Sequence, residues 1–168
     1  MERVTKLSTP YWAQLGVILP CVPLRGGADA AYCLAMHTAP NLIITPGDPR
    51  EAGAAALLGQ SHDLMRGLFP PEENFFLDLG ALCTPDIRFF VAMRGAETVG
   101  TGALALRDGY GEVKSMFVAQ AARGQGVAGA MLDRIEAEAR AHALPCLRLE
   151  TGDRLDAALR LYARHGFK

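Results

Sequence analysis

The sequence offers little to a metal ion, a membrane or a polyanion. Cysteine occurs four times in 168 residues, at Cys21, Cys33, Cys83 and Cys146, and never at the short paired spacing of a zinc site or a redox dithiol. The four histidines, His37, His62, His142 and His165, form no i, i+4 pair either, so no metal is expected and the thiols read as reduced and mostly buried. No apolar run approaches the roughly 18 residues of a membrane span. The best candidate, Leu15 to Val22, is short and broken by Pro20. Charge of one sign is missing too, with 17 Lys plus Arg against 18 Asp plus Glu. Without a global basic field neither nucleic acid nor an anionic membrane is an expected partner, and any anion site must be local. Glu2, Pro20 and a polar lead-in argue against a secretion signal, which makes the cytoplasm the expected location.

What is present is material for one globular domain, half of it hydrophobic and 21% charged. Residues 1 to 40 carry Pro10, Pro20, Pro23, Gly26, Gly27 and Pro40, a punctuation that leaves no room for a regular element of normal length and marks an irregular extension. Met36 is a candidate for the true start of translation. Regular patterning begins at 41 and continues to 168. Leu42 to Thr45 reads as a short strand. Asp48-Pro49-Arg50-Glu51 spells a capped helix start, predicting a helix to about Arg66, and a second helix is expected over Asn74 to Leu82.

Ile87 to Met93, Thr98 to Leu106 and Glu112 to Val118 read as strands joined by the turns Arg94-Gly95-Ala96-Glu97 and Asp108-Gly109-Tyr110-Gly111. Strands linked so tightly must run as an antiparallel meander. Gly100 and Gly102 predict a bulge or a close backbone approach in the second strand. Val127, Met131, Leu132, Ile135 and Ala139 then recur at helical spacing, followed by a strand over Cys146 to Glu150 and a helix over Leu155 to His165. Strand, helix, strand implies a parallel crossover. The expected fold class is α/β (α+β), a mixed sheet with helices on both faces.

Between strand and helix lies Arg123-Gly124-Gln125-Gly126-Val127-Ala128. Glycines let backbone N–H groups converge on one point, a helix N-terminus adds partial positive charge, and Arg123 adds forked donors. The combination reads as a cradle for a diphosphate. Gly124-x-Gly126-x-x-Gly129 is also a dinucleotide fingerprint, with Glu150 about where its ribose-binding acid would stand. Against that alternative, five residues separate the strand from the first glycine, and only eighteen residues follow Glu150.

The order strand, Arg-x-x-Gly-x-Ala, helix, strand, Leu161-Tyr162-Ala163-Arg164-His165-Gly166-Phe167 resembles the GNAT superfamily of acetyl-CoA-dependent N-acetyltransferases over about residues 41 to 168. Pro70-Pro71-Glu72, Gly111 to Met116 and Leu149 to Gly152 resemble a bacterial subgroup akin to the YsnE-type proteins. The resemblance implies acetyl-CoA as cosubstrate, no metal, and transfer to the primary amine of a small molecule or amino acid derivative by direct attack. It implies that Met116, Phe117 and Val118 offer backbone groups to the pantetheine arm, that Arg123, Gly124, Gln125, Gly126, Val127 and Ala128 take the pyrophosphate, and that Tyr162 protonates the departing thiolate. Glu150 is the implied base, with Glu112 as second choice.

Each reading has a plainer counterpart. Tyr162 could be one more residue of a buried helix face, and Glu150 could pair with Arg148 or Arg154 on the surface. Glu72 and Glu73 read as the acidic first turn of a helix, or as the lining of the acceptor entrance. The family's last two strands have no counterpart before Lys168. The resemblance therefore also implies an open sheet edge, with self-association as a homodimer, and leaves a catalytically impaired or regulatory CoA-binding module as an alternative to the enzyme.

Overall fold

A computed structural model describes residues 17–23, 42–74 and 76–168. Its elements in chain order are β1 (Val17–Pro23), β2 (Leu42–Pro46), α1 (Ala52–Leu68), a 3-10 turn (Pro71–Glu73) and α2 (Leu79–Leu82). There follow β3 (Ile87–Arg94), β4 (Glu97–Arg107), β5 (Tyr110–Val118), α3 (Val127–Ala141), β6 (Cys146–Thr151) and α4 (Asp156–Arg164). The six strands form one sheet in the order β1-β6-β5-β4-β3-β2. Every neighbouring pair is antiparallel except β5 and β6, which α3 connects as a parallel crossover.

The meander and the crossover are those that the turn residues and the change of hydrophobic period specify. Three local expectations differ. Asp48 does not cap α1: its carboxylate accepts from Arg50 N–H at 2.9 Å and grips the Arg50 guanidinium at 2.6 Å, so Pro49 and Arg50 form a turn and the helix begins at Ala52. No single helix spans Asn74 to Leu82. The Asn74 amide donates to Phe69 O and Pro70 O, closing the 3-10 turn, and a separate short helix is capped by Asp78, which accepts from Ala81 N–H at 2.7 Å. Cys146 is disulfide-bonded, whereas Cys83 is free and exposed.

The fourth difference concerns the sheet edge. β1 lies within the stretch expected to be irregular, and it pairs antiparallel with β6 from Val17 opposite Thr151 to Pro23 opposite Cys146. The β6 edge expected to stand open is thus covered. The remainder of residues 1 to 40, with Met36, lies outside the described residues.

Alternation on the strands sorts the core into two layers. One face carries Phe90, Leu104, Val113 and Leu149 against Val127, Met131 and Ile135 of α3 and Tyr162 of α4. The other carries Phe89, Val91, Ala103 and Ala105 against Ala54 and Leu58 of α1 and Leu82 of α2. Met131, Ile135, Phe90 and Leu58 are almost wholly withdrawn from water, each worth about 1.5–3 kcal/mol of burial.

The strand glycines have the role that their spacing suggests. A Cβ on Gly100 would stand 3.1 Å from Val127 Cγ1, and one on Gly102 would stand 2.7 Å from Met131 Cγ. Both therefore let α3 approach β4 closely. Opposite Gly102, β5 carries an extra residue: Thr101 pairs with Phe117, but Ala103 pairs with Lys114. Ser115, with φ at 51°, absorbs the bulge, and the fully buried Thr101 hydroxyl donates to its carbonyl at 3.0 Å.

Replacing Thr101 with Val keeps the shape but leaves the Ser115 carbonyl without its donor. Urea denaturation should show a loss of about 1–3 kcal/mol in unfolding free energy. An unchanged midpoint would mean that the bulge holds without this bond.

Candidate functional site

Parallel pairing between β5 and β6 lasts for three residue pairs, Gly111 with Leu147, Glu112 with Arg148 and Val113 with Leu149. Beyond them the strands part. The bulge at Ser115 turns β5 out of the parallel register while β6 ends two residues later at Thr151. Among the described residues, each strand then has no strand partner on that side, since β5 stays paired only with β4 through Phe117 and Val118.

A cavity of about 180 Å³ opens where the strands separate. Because the sheet is breached there, groups from both of its faces meet. Lys114, Ser115 and Met116 line it from β5, and Glu150, Thr151 and Gly152 from the end of β6. α4 contributes Tyr162 from one side, and α1 contributes Ser61, His62 and Met65 from the other. Phe69 and Phe76 make an apolar wall.

Tyr162 is buried, 7% exposed, with its ring edge-on to Phe167 at 6.0 Å between centroids. Burial disfavours the phenolate and pushes its pKa up to about 12, so the hydroxyl keeps its proton throughout the neutral range. Among the described residues the hydroxyl has no hydrogen-bond partner. It is a proton donor aimed at a cavity.

The three carboxylates expected near the chemistry separate. Glu150 lines the cavity and forms no ion pair among the described residues. Glu112 does not line it. Its side chain receives Arg107 at 3.2 Å and Lys114 at 2.6 Å, in a chain of charges that Arg107 extends to Asp86 at 2.9 Å. Glu112 thereby fixes the Lys114 ammonium at the cavity rim. Glu72 is exposed on the 3-10 turn and is not part of the lining, and the Glu73 side chain lies outside the described residues.

The glycine loop stands at the far end of β5. Gly124 and Gly126 have φ of 74° and 80°, a left-handed conformation that suits glycine, and Gly126 is the N-cap of α3. The first N–H groups of α3, those of Val127 and Ala128, have no carbonyl of their own helix to bond. Arg123 is exposed. It donates through Nε to Val118 O at 3.2 Å, its guanidinium 5.5 Å from the Phe117 ring centroid, and its terminal nitrogens make no hydrogen bond among the described residues. Met116 lies in the cavity and Val118 adjoins the loop, so a single strand end, Met116 to Val118, joins the two places.

Two titratable cavity residues, Lys114 and His62, were not singled out from the sequence. Lys114 is brought in by the bulge, which has no sequence signature at Ser115. His62 has one in retrospect: Leu58, His62, Met65 and Phe69 recur at helical spacing on the face of α1 that meets the sheet. Among the described residues there is no group of three or more metal-ligating side chains, and no helix is long and apolar enough to cross a membrane.

Comparison with known proteins agrees with this geometry. The family model described as "Acetyltransferase (GNAT) domain" matches residues 85–168. An IAA acetyltransferase of Azospirillum brasilense is 43% identical over 130 residues, covering 76% of this chain and 85% of that protein. The uncharacterised N-acetyltransferase YsnE of Bacillus subtilis is 35% identical over 116 residues, 67% of this chain and 77% of its own. In fold, the chain is similar to a GNAT family acetyltransferase of Elizabethkingia anophelis solved with acetyl-CoA bound. That likeness has a TM-score of 0.57 at 22% identity and covers 77% of each chain.

Loop and cavity can be tested separately. Arg123→Ala should weaken acetyl-CoA binding by about ten- to a hundredfold, the value of charge-assisted hydrogen bonds to a phosphate. Gly126→Ala adds a left-handed penalty of about 1–2 kcal/mol and should weaken it too. Calorimetry showing unaltered affinity in both would remove the loop from the site.

Proposed function

The chain belongs to the GNAT family of acetyltransferases and transfers an acetyl group from acetyl-CoA to an amine, and on that premise we propose that the acceptor is the primary amine of a small molecule or amino acid derivative. The observation that carries this reading is the parting of β5 and β6. It exposes a strand edge, opens a cavity too small for a folded partner, and sets Tyr162 and Glu150 in that one cavity.

The residues fit the cosubstrate. Arg123 and the N–H groups of Gly124 to Ala128 form an open cradle whose glycines keep the backbone accessible to a diphosphate. The unpaired edge of Met116 to Val118 can take the amides of a pantetheine arm as an added strand would, leading from the cradle to the cavity. When bound, acetyl-CoA supplies an acetyl group activated as a thioester.

The protein's own groups then divide the work. Glu150 holds the incoming ammonium by charge, with no competing cation on it among the described residues. An N–H of the free β5 edge can donate to the carbonyl oxygen as charge develops there, without reorganisation. Tyr162 delivers a proton to the departing sulfur. The donor must arrive protonated, and burial keeps the hydroxyl so throughout the neutral range. Glu112 acts at one remove by fixing Lys114.

Tyr162→Phe should lower kcat by about a hundredfold or more while leaving the KM for acetyl-CoA near its original value. It should not lower the melting temperature, because the hydroxyl makes no bond whose loss would cost stability. Because Tyr162 ionises only near pH 12, its proton is retained as pH rises, and any alkaline fall in rate below about pH 10 must persist in any residual activity of the variant. A thiol-release assay over amines, amino acids and aminoglycosides gives these values. Unchanged kcat would exclude Tyr162 as the acid.

A further inference from the structure

We propose that His62 is the general base that takes the proton from the acceptor amine, with Glu150 serving to hold the charged amine in place. The inference rests on the acetyl-transfer reading given above. It is carried by position: His62 reaches the cavity from α1, the face opposite α4, so that the amine enters between an imidazole on one side and the Tyr162 hydroxyl on the other.

The imidazole is held for such a role. Its ring stacks on Phe76 at 3.9 Å between centroids and 14° between planes, which fixes its orientation without using either nitrogen. Phe76 is itself covered by the Arg66 guanidinium at 5.2 Å. Among the described residues neither ring nitrogen makes a hydrogen bond, and neither is buried without a partner, so both remain accessible on a residue that lines the cavity.

Charge around His62 favours the neutral ring. Desolvation and Arg66, one helical turn away, lower its pKa from the ordinary value, and Asp63 opposes them only in part. From β5 it faces Lys114, already paired with Glu112; from β6, Glu150; from α4, Tyr162, which is uncharged. At neutral pH the ring is therefore free to accept a proton. Imidazole is the side chain whose charge changes nearest neutral pH, which suits it to exchange a proton with an ammonium there.

The protons balance. His62 takes one proton from the ammonium and passes it to solvent at the cavity mouth. The nitrogen lone pair forms the bond to the acetyl carbon, the carbon–sulfur bond breaks, and the sulfur receives the Tyr162 proton. The second proton that the nitrogen sheds restores the Tyr162 hydroxyl. The net products are an amide, a free thiol and one proton.

His62→Ala, His62→Phe and Glu150→Gln should be compared with the wild type over pH 5 to 10, with any amine that releases thiol. Both His62 variants should lose about a hundredfold or more in kcat with little change in acetyl-CoA affinity, and added imidazole should restore part of the activity of His62→Ala. His62→Phe keeps the stack on Phe76, so a merely structural role would leave its rate intact. Glu150→Gln should instead raise the KM for the amine and keep the acidic limb. Independently of turnover, NMR titration should find the His62 ring neutral at pH 7. Full activity with an unshifted acidic limb in His62→Phe, or a charged ring at pH 7, would overturn the assignment and leave the acetyl-transfer reading standing. Thiol release by no amine from the wild type would instead defeat that reading, and this one with it.

Discussion

The separation of β5 from β6 after Val113 and Leu149 is the constraint on which the other features of the site depend. In an unbroken sheet the backbone groups of Lys114 to Val118 would all be engaged, and helices on opposite faces could not contribute to one cavity. Once the strands part, an edge becomes available and the two faces communicate. The cost is a strained backbone at Ser115. Thr101, buried on the neighbouring strand, offsets part of it by donating to the Ser115 carbonyl.

The same few residues of β4 also place the glycine loop. Gly100 and Gly102 bring α3 against the sheet, and the contact of Gly100 with Val127 involves the first residue of that helix. The N-terminus of α3 is therefore fixed beside the end of β5, which carries the free edge. Loop, edge and cavity form one path because a bulge and two glycines on adjacent strands set all three.

The sequence makes the regular part of this architecture legible. Turn residues at Arg94 to Glu97 and Asp108 to Gly111 enforce the meander, and the period change at Val127 announces the crossover. The glycine loop and Tyr162 are legible because left-handed positions and a buried helix face leave marks on residue type. Other features leave none. Nothing in Ser115 signals a bulge, because the register shift arises from pairing between strands. Asp48 and Glu51 satisfied a capping pattern, but Arg50, two residues from Asp48, competes for the same carboxylate. β1 escaped notice because proline density argues against a strand inside a sheet, whereas an edge strand tolerates it. Glu112 and Glu150 look alike in sequence. Only the cross-strand Arg107 and the bulge-adjacent Lys114 distinguish the paired carboxylate from the one left to the cavity.

One physical cause prepares both ends of the proposed proton transfer. Withdrawal from water always disfavours the charged form, which raises the pKa of a phenol and lowers that of an imidazole. Tyr162 and His62 line the same cavity, and each departs from its ordinary value in the direction that desolvation dictates, with Arg66 adding to the effect on His62. The phenol is consequently held protonated and the imidazole unprotonated at the same pH, without a dedicated partner for either among the described residues. Opposed shifts in neighbouring titratable groups are what an acid and a base acting on one substrate require. Here they follow from lining a single breach in the sheet with a tyrosine from one face and a histidine from the other.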